Sequence, residues 1–341
     1  MSSSPRSLLR LAALTLAVLA CGVGFSAGAA AGTELRIATV APAGSSFHKR
    51  LQTLGNEWSH GAGGVSMNIY AGTQGGELQI VRRMRVGQIQ GAMLTSVGLA
   101  QIERSVTALQ YMPMMFRDWD DVDAVREKLR PDLERRLSDA GYVVMFWADA
   151  GWVRYFSNKP IQRLQDLKSL RVYASSGDPE SVELMKSYYT PVVLEPEQIL
   201  LGLRNGMIDA LPVPAFLANF SQIPTYAPYM LDLRWAPITG ALVLTRRAWD
   251  KLDPAAQAWL RETSERAGIE MRRASRAEDE QAVQAMKDKM GLKVVPMTAE
   301  AEREWRAEVA RIYPRIRGTL VPAPMFDVTV ETLKARHAAG T

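Results

Sequence analysis

The sequence predicts an α/β protein of two lobes, joined by crossing strands and spanned by a long helix. Three observations carry that expectation. The chain has 341 residues, enough for two domains of ordinary size. Strand-like and helix-like segments alternate along most of it, the pattern of a largely parallel, helix-covered sheet. Finally, no proline interrupts the stretch between Pro254 and Pro296, so one helix can run nearly its whole length. With 47% hydrophobic and 23% charged residues, the chain can bury a core, and it does not read as disordered, rod-like or polytopic in a membrane. A single cysteine and 3 histidines leave no internal disulfide and no Cys/His zinc constellation, and no cofactor is expected.

In chain order, Arg6 and Arg10 precede an uncharged apolar run from Leu11 that gives way to small residues through Ala31. This is the layout of a secretory signal over residues 1–31, with cleavage near Gly32 and a periplasmic destination. Two alternatives are a retained anchor, since Leu11 to Thr33 carries no charge, and lipidation at Cys21. The net charge of +5 falls further if the leader is removed, a weak footprint for nucleic acid. Leu35, Ile37 and Thr39 alternate as in a strand, a turn at Ala41–Ser46 follows, and a helix is expected from Phe47. A second strand at Val65–Tyr70, a helix at Glu77–Val86 and a third strand at Ile89–Leu94 continue the alternation. Tyr142–Trp147 is apolar throughout, the mark of a strand buried on both faces, and is placed at the crossing to the second lobe. Strands are expected at Leu170–Ala174, Pro191–Leu194, Met207–Leu211 and Ile238–Thr245, with helices at Glu180–Ser187 and Pro196–Arg204. Asp253-Pro254 is an N-cap followed by proline at the first helical position. A helix from there to Met290 would reach roughly 55 Å, enough to lie along both lobes, with Gly268 as a place where it can bend.

The chemistry is mostly that of binding. Gly72-Thr73-Gln74-Gly75-Gly76-Glu77 resembles a phosphate loop but lacks the Lys-Ser/Thr pair and puts a carboxylate where an anion would dock. His48 follows Ser45-Ser46 without a third group to orient it, and reads as a helix-start residue. Asp118, Asp120, Asp121 and Asp123 lack the glycine and terminal glutamate of a calcium loop, and are expected as a solvated helix start. Arg154 sits between Trp152 and Tyr155-Phe156, a combination suited to an organic anion because guanidinium pairs with carboxylate and stacks on rings; a structural ion pair accounts for it equally well. An enzyme using Asp149 or Glu77 as acid or base has no recognisable catalytic spacing behind it.

Several segments together resemble one family. Ala41–Lys49, Gly72–Glu77, Met112-Pro113-Met114-Met115-Phe116-Arg117-Asp118, Arg154–Ile161, Asp166–Val172 and Gly206–Asp209 fall in the order found in the DctP-type substrate-binding receptors of tripartite ATP-independent periplasmic (TRAP) transporters. The resemblance implies a periplasmic-binding-protein-like α/β fold, with a ligand cleft between two lobes, and delivery of a small organic molecule to membrane permease subunits by a monomeric receptor. It places lobe I at residues 32–151 with 238–279 returning to it, and lobe II at 152–237 with 280–341 packing on it. The family's ligand-binding arginine falls at Tyr173 when counted without gaps from Asp166, or at Arg171 if the alignment shifts. Where members commonly carry a polar asparagine, this chain has Val213. Arg154 matches an arginine of many members. The expected ligand contacts are therefore Arg154, Trp152, Tyr173, Val213, Phe216 and Trp235, with Glu77, Ser96, Phe47 and Arg171 completing the set. Loss of charge-assisted donors points to a larger, less polar ligand than a small dicarboxylate. The alternative is a periplasmic carrier of ligand or lipid for signalling or the envelope.

Overall fold

In the computed structural model, which describes residues 33–186 and 188–339, the alternation of the sequence becomes two sheets that share one strand. The expected leader and Cys21 lie outside the described residues. β1 (Glu34–Thr39) buries Leu35 and Ile37 and pairs in parallel with β2 (Ser66–Ala71) and β3 (Gly91–Thr95). Parallel neighbours need crossovers, supplied by α1 (Ser46–His60) and α2 (Glu77–Arg85). Ser45 caps α1 by accepting a hydrogen bond from the His48 amide at 3.3 Å. α3 (Ser96–Ala100) follows β3 directly, and α4 (Trp119–Asp139) leads into β4 (Tyr142–Ser157).

β4 extends well beyond the apolar run seen in the sequence. Its first half belongs to the first sheet and its second half to another, made by α5 (Leu164–Lys168), β5 (Arg171–Ser175), α6 (Pro179–Met185), β6 (Thr190–Leu194), α7 (Ile199–Arg204), β7 (Ala210–Pro214) and α8 (Ala215–Phe220). After β8 (Tyr229–Leu231), the chain returns to the first sheet on β9 (Pro237–Thr245), antiparallel to both β3 and β4. The strand order is β2-β1-β3-β9-β4-β7-β5-β6. β7 begins three residues later than the Met207–Leu211 expectation: Gly206 at φ +64° closes α7 and leaves Met207 exposed, and the Asp209 amide bonds Arg171 O before pairing starts.

α9 (Arg246–Trp249) leads into α10 (Pro254–Met290), capped by Asp253 at the Ala256 amide and closed by Gly291 in the left-handed region. It packs on α1 and β4 and, further along, on α8, so one rod touches both halves. At Gly268 a Cβ would lie 2.5 Å from Phe146 Cβ, so the bare glycine lets helix and strand approach. β10 (Lys293–Val295) pairs with β8, and α11 (Ala299–Ile316) sets Trp305 against Tyr155 and Trp235. The last helix, α12 (Ala323–Ala339), packs on α4. The cause is Asp121, which is buried and accepts from the Arg117 amide, Arg336 Nε at 3.0 Å and His337 Nε2 at 2.9 Å. The aspartates of that helix start are thus in part anchoring groups: Asp118 is the N-cap and, like Asp120, is exposed, while Asp123 holds Arg126 and Arg276.

Candidate functional site

The carboxyl ends of β1, β3, β5 and β7 converge on the crossing strands β4 and β9, the place where open α/β sheets present their loops to a ligand. Two chambers lie there and meet at Ile238. The larger, of about 290 Å³, is walled by Tyr155 of β4, Tyr173 and Ser175 of β5, Tyr189 after α6, Gln110 and Trp235. The smaller, of about 140 Å³, lies between Phe47, Thr95, Phe216 and Thr239. Among the described residues, no Arg, Lys or His lines either chamber. The larger chamber's one carboxylate, Asp178, caps α6 at the Ser181 amide. That of the smaller, Asp149, is held by Arg126 at 2.6 Å and Arg276 at 2.8 Å.

The polar side chains that remain are neutral, hydroxyls and the Gln110 amide among them. The Tyr155 hydroxyl hydrogen-bonds that of Tyr189, and burial pushes both phenols above their ordinary range. Burial likewise moves Tyr173 up to about 12, although its bond to Ser175 opposes the shift. All three stay protonated donors at any physiological pH. Trp235 meets Tyr155 edge to face with 5.7 Å between ring centres, and Trp305 backs both.

Of the residues expected from the sequence, the fold brings Tyr173 and Trp235 to the larger chamber and Phe47 and Phe216 to the smaller, where their rings touch at 5.2 Å. Arg154 is placed elsewhere. Side chains alternate across a strand, and because Val153 and Tyr155 line the chamber, Arg154 points to the opposite face, toward Glu280 at 3.2 Å and Asp232 at 3.4 Å. Trp152 shares that side, packed on Trp119 at 4.7 Å. Val213, opposite Arg154 in the ladder, lies in the core of the second lobe. Arg171 is an exposed partner of Asp209, whose carboxyl its hydrogen bonds hold down to about 2. Glu77 accepts from the Thr95 amide and hydroxyl, both at 2.6 Å, and from the Gly98 amide at 2.9 Å; it caps the donors that open α3. Ser96 bonds Thr239 inside the first lobe at 2.8 Å. Both carboxylates considered as acid or base, Asp149 and Glu77, are therefore already engaged.

Sequence reasoning passed over Val153, Tyr155, Gln110, Ser175 and Tyr189. The first two were within reach, since alternation along β4 assigns them one face. The register shift between Asp149 and Trp152 concealed which face that is. Arg154→Ala is expected to lower stability by about 1–3 kcal/mol while leaving affinity for the bound solute within twofold, as denaturation and titration of the same preparation will show.

Two sheets bridged by antiparallel crossing strands, with chambers at the crossing and a helix along both halves, define the class of two-lobed solute-binding receptors. Residues 37–318 match the DctP family, described as bacterial extracellular solute-binding protein, family 7. The chain belongs to that family and is a solute receptor of the type that serves TRAP transporters. Among curated proteins, the Salmonella typhimurium "Uncharacterized protein YiiZ" is 24% identical over 277 residues, which is 78% of this chain and 81% of that one. Among solved structures, a TRAP periplasmic solute-binding protein from Ralstonia eutropha H16 with bound (S)-2-acetolactate superposes with a TM-score of 0.82 at 17% identity, covering 89% of this chain and 99% of its own. One from Xanthobacter autotrophicus Py2 with bound β-D-galacturonate gives 0.79 at 19%, covering 88% and 99%. One from Shewanella oneidensis with bound succinate gives 0.81 at 12%, covering 89% and 100%. The shared architecture is the fold expected from the sequence.

Proposed function

We propose that this receptor captures a bulky, largely apolar and uncharged solute bearing hydroxyl or carbonyl groups, and passes it unaltered to permease subunits in the membrane. The observation that carries the reading is that, among the described residues, no cationic side chain lines either chamber. A buried carboxylate without a charged partner is costly, whereas rings and neutral hydroxyls suit an aromatic or alicyclic body with a few acceptors. The three solved relatives hold an acetolactate, a galacturonate and a succinate; the described residues lining the chambers offer such acids no counter-charge. The working unit is a periplasmic monomer, with residues 32–151 and 238–279 forming one lobe and 152–237 with 280–341 the other. Contacts from both sides to one solute shift the population toward a closed state.

Native mass spectrometry of protein purified without refolding tests this reading. A co-purified molecule that is neutral and mainly hydrocarbon is the expected result. Trp235 supplies an optical readout: titrated succinate and galacturonate should leave tryptophan emission unchanged, and the extracted solute should alter it. Trp235→Ala is expected to weaken binding of that solute by about tenfold or more. Tight binding of succinate by the unmodified protein would overturn the assignment.

A further inference from the structure

At the opposite ends of the same strands lies a groove of about 620 Å³, lined by the start of β1, the turn after α2 and the segment following β9. Arg36, Arg247 and Lys251 line it, against one acid, Glu34. Arg82, Arg83 and Arg85 occupy the last turn of α2 before Val86, which also lines the groove; Arg85 is turned onto the Gln101 carbonyl. Arg36 is turned onto Gln90 and the Gly87 carbonyl. None of Arg36, Arg82, Arg83, Arg247 and Lys251 forms an ion pair among the described residues, and the exposed Asp250 engages none of them. Many arginines elsewhere are paired, among them Arg126 and Arg276 with Asp149, Arg163 with Glu300, Arg171 with Asp209 and Arg317 with Asp327. Those without an ion pair among the described residues, such as Arg117, Arg204, Arg273 and Arg303, are spread along the chain and do not line one groove with others. The carboxyl-terminal end of α2 favours cations, but that accounts only for the arginines on α2 and not for Arg247 and Lys251, which come from another part of the chain. Val86, 69% exposed, is the most solvent-exposed of the large apolar side chains.

We propose that this end of the first lobe docks on the anionic headgroup surface of a phospholipid bilayer, with Arg83, Arg247 and Lys251 facing phosphates and Val86 entering the interface. Unpaired cations beside a projecting apolar side chain fit a headgroup layer, where charge attracts and hydrocarbon inserts. An acidic peptide would satisfy the cations and leave Val86 in water. Such docking confines the receptor near the permease while leaving the chambers, at the other ends of the strands, free to load. This surface is separate from the chambers, so its test does not depend on the identity of the solute.

The experiment is flotation of the full-length protein with phosphatidylcholine vesicles, with and without phosphatidylglycerol, at low and high salt. Binding is expected to be stronger to the anionic vesicles than to the neutral ones, and that excess to fade as salt screens the contact. The triple variant Arg83→Glu, Arg247→Glu, Lys251→Glu should lose roughly a hundredfold in partition, and Val86→Ser, with charge unchanged, about fivefold. Unaltered near-ultraviolet circular dichroism certifies that each variant is folded. The same leader sequence is present in every variant, so a contribution from it cancels. No binding to anionic vesicles, equal binding to neutral ones, or an undiminished triple variant would overturn the proposal. So would a Val86→Ser variant that binds as the parent does while polyglutamate displaces it, the result expected of a surface for acidic protein.

Discussion

Gly151→Ala is expected to lower the stability of the receptor by about 3–5 kcal/mol, combining backbone strain with overpacking. Gly151 stands in β4 where the strand leaves the first sheet, with φ +95°, a region that residues with a side chain seldom enter. A Cβ added there would meet Asp279 Cγ and Oδ1, both at 2.4 Å. Those atoms cannot retreat, because Asp279 is buried and its two oxygens already accept from the Trp152 and Phe216 amides, each at 3.1 Å. Urea denaturation of the alanine variant checks this; a loss below about 1 kcal/mol would mean that the crossing yields more easily than its geometry indicates.

The second large effect belongs to Asp279 itself. Desolvation pushes its carboxyl up to about 6 from an ordinary 3.8, against the two amide hydrogen bonds that favour the ion. The folded state therefore holds this proton more tightly than the unfolded chain does. Its contribution is fully favourable below about pH 4 and is lost as pH rises to about 6, leaving a penalty of about 3 kcal/mol at neutrality. Asp279→Ala removes both acceptors and strands two buried amides, a cost of about 1–3 kcal/mol each. Asp279→Asn retains one acceptor and sets an NH₂ group against the other amide. The asparagine variant does not titrate, so its deficit relative to the parent should grow by about 1–2 kcal/mol between pH 7.5 and pH 5. Parallel denaturation curves at the two pH values read this directly, and a constant difference would remove the raised carboxyl from the account.

Much of the architecture was legible because it rests on local signals. Apolar alternation located β1 and β2, and Asp253-Pro254 with an uninterrupted run located α10 to its last residue. Where the fold depends on distant partners, the sequence was silent. Nothing near Asp121 announces that Arg336 and His337 will cover it, and Gly268 as a contact point requires knowing that Phe146 lies beneath. The candidate site divides the same way. Tyr173, Trp235, Phe47 and Phe216 are large rings at strand ends and loop starts, and they reach the chambers. Arg154 invited attention through its chemical type, but a strand assigns faces by parity, and one step along β4 separates the chamber from the ion pair with Glu280.

One consequence follows from α10. A 37-residue rod packs on β4 and α8 and is clasped to them at several points: Asp279 on the amides of Trp152 and Phe216, Arg276 on Asp149, and Glu280 on Arg154. Because one continuous backbone carries all of these clasps, loosening any of them is shared along the helix rather than confined to a single loop.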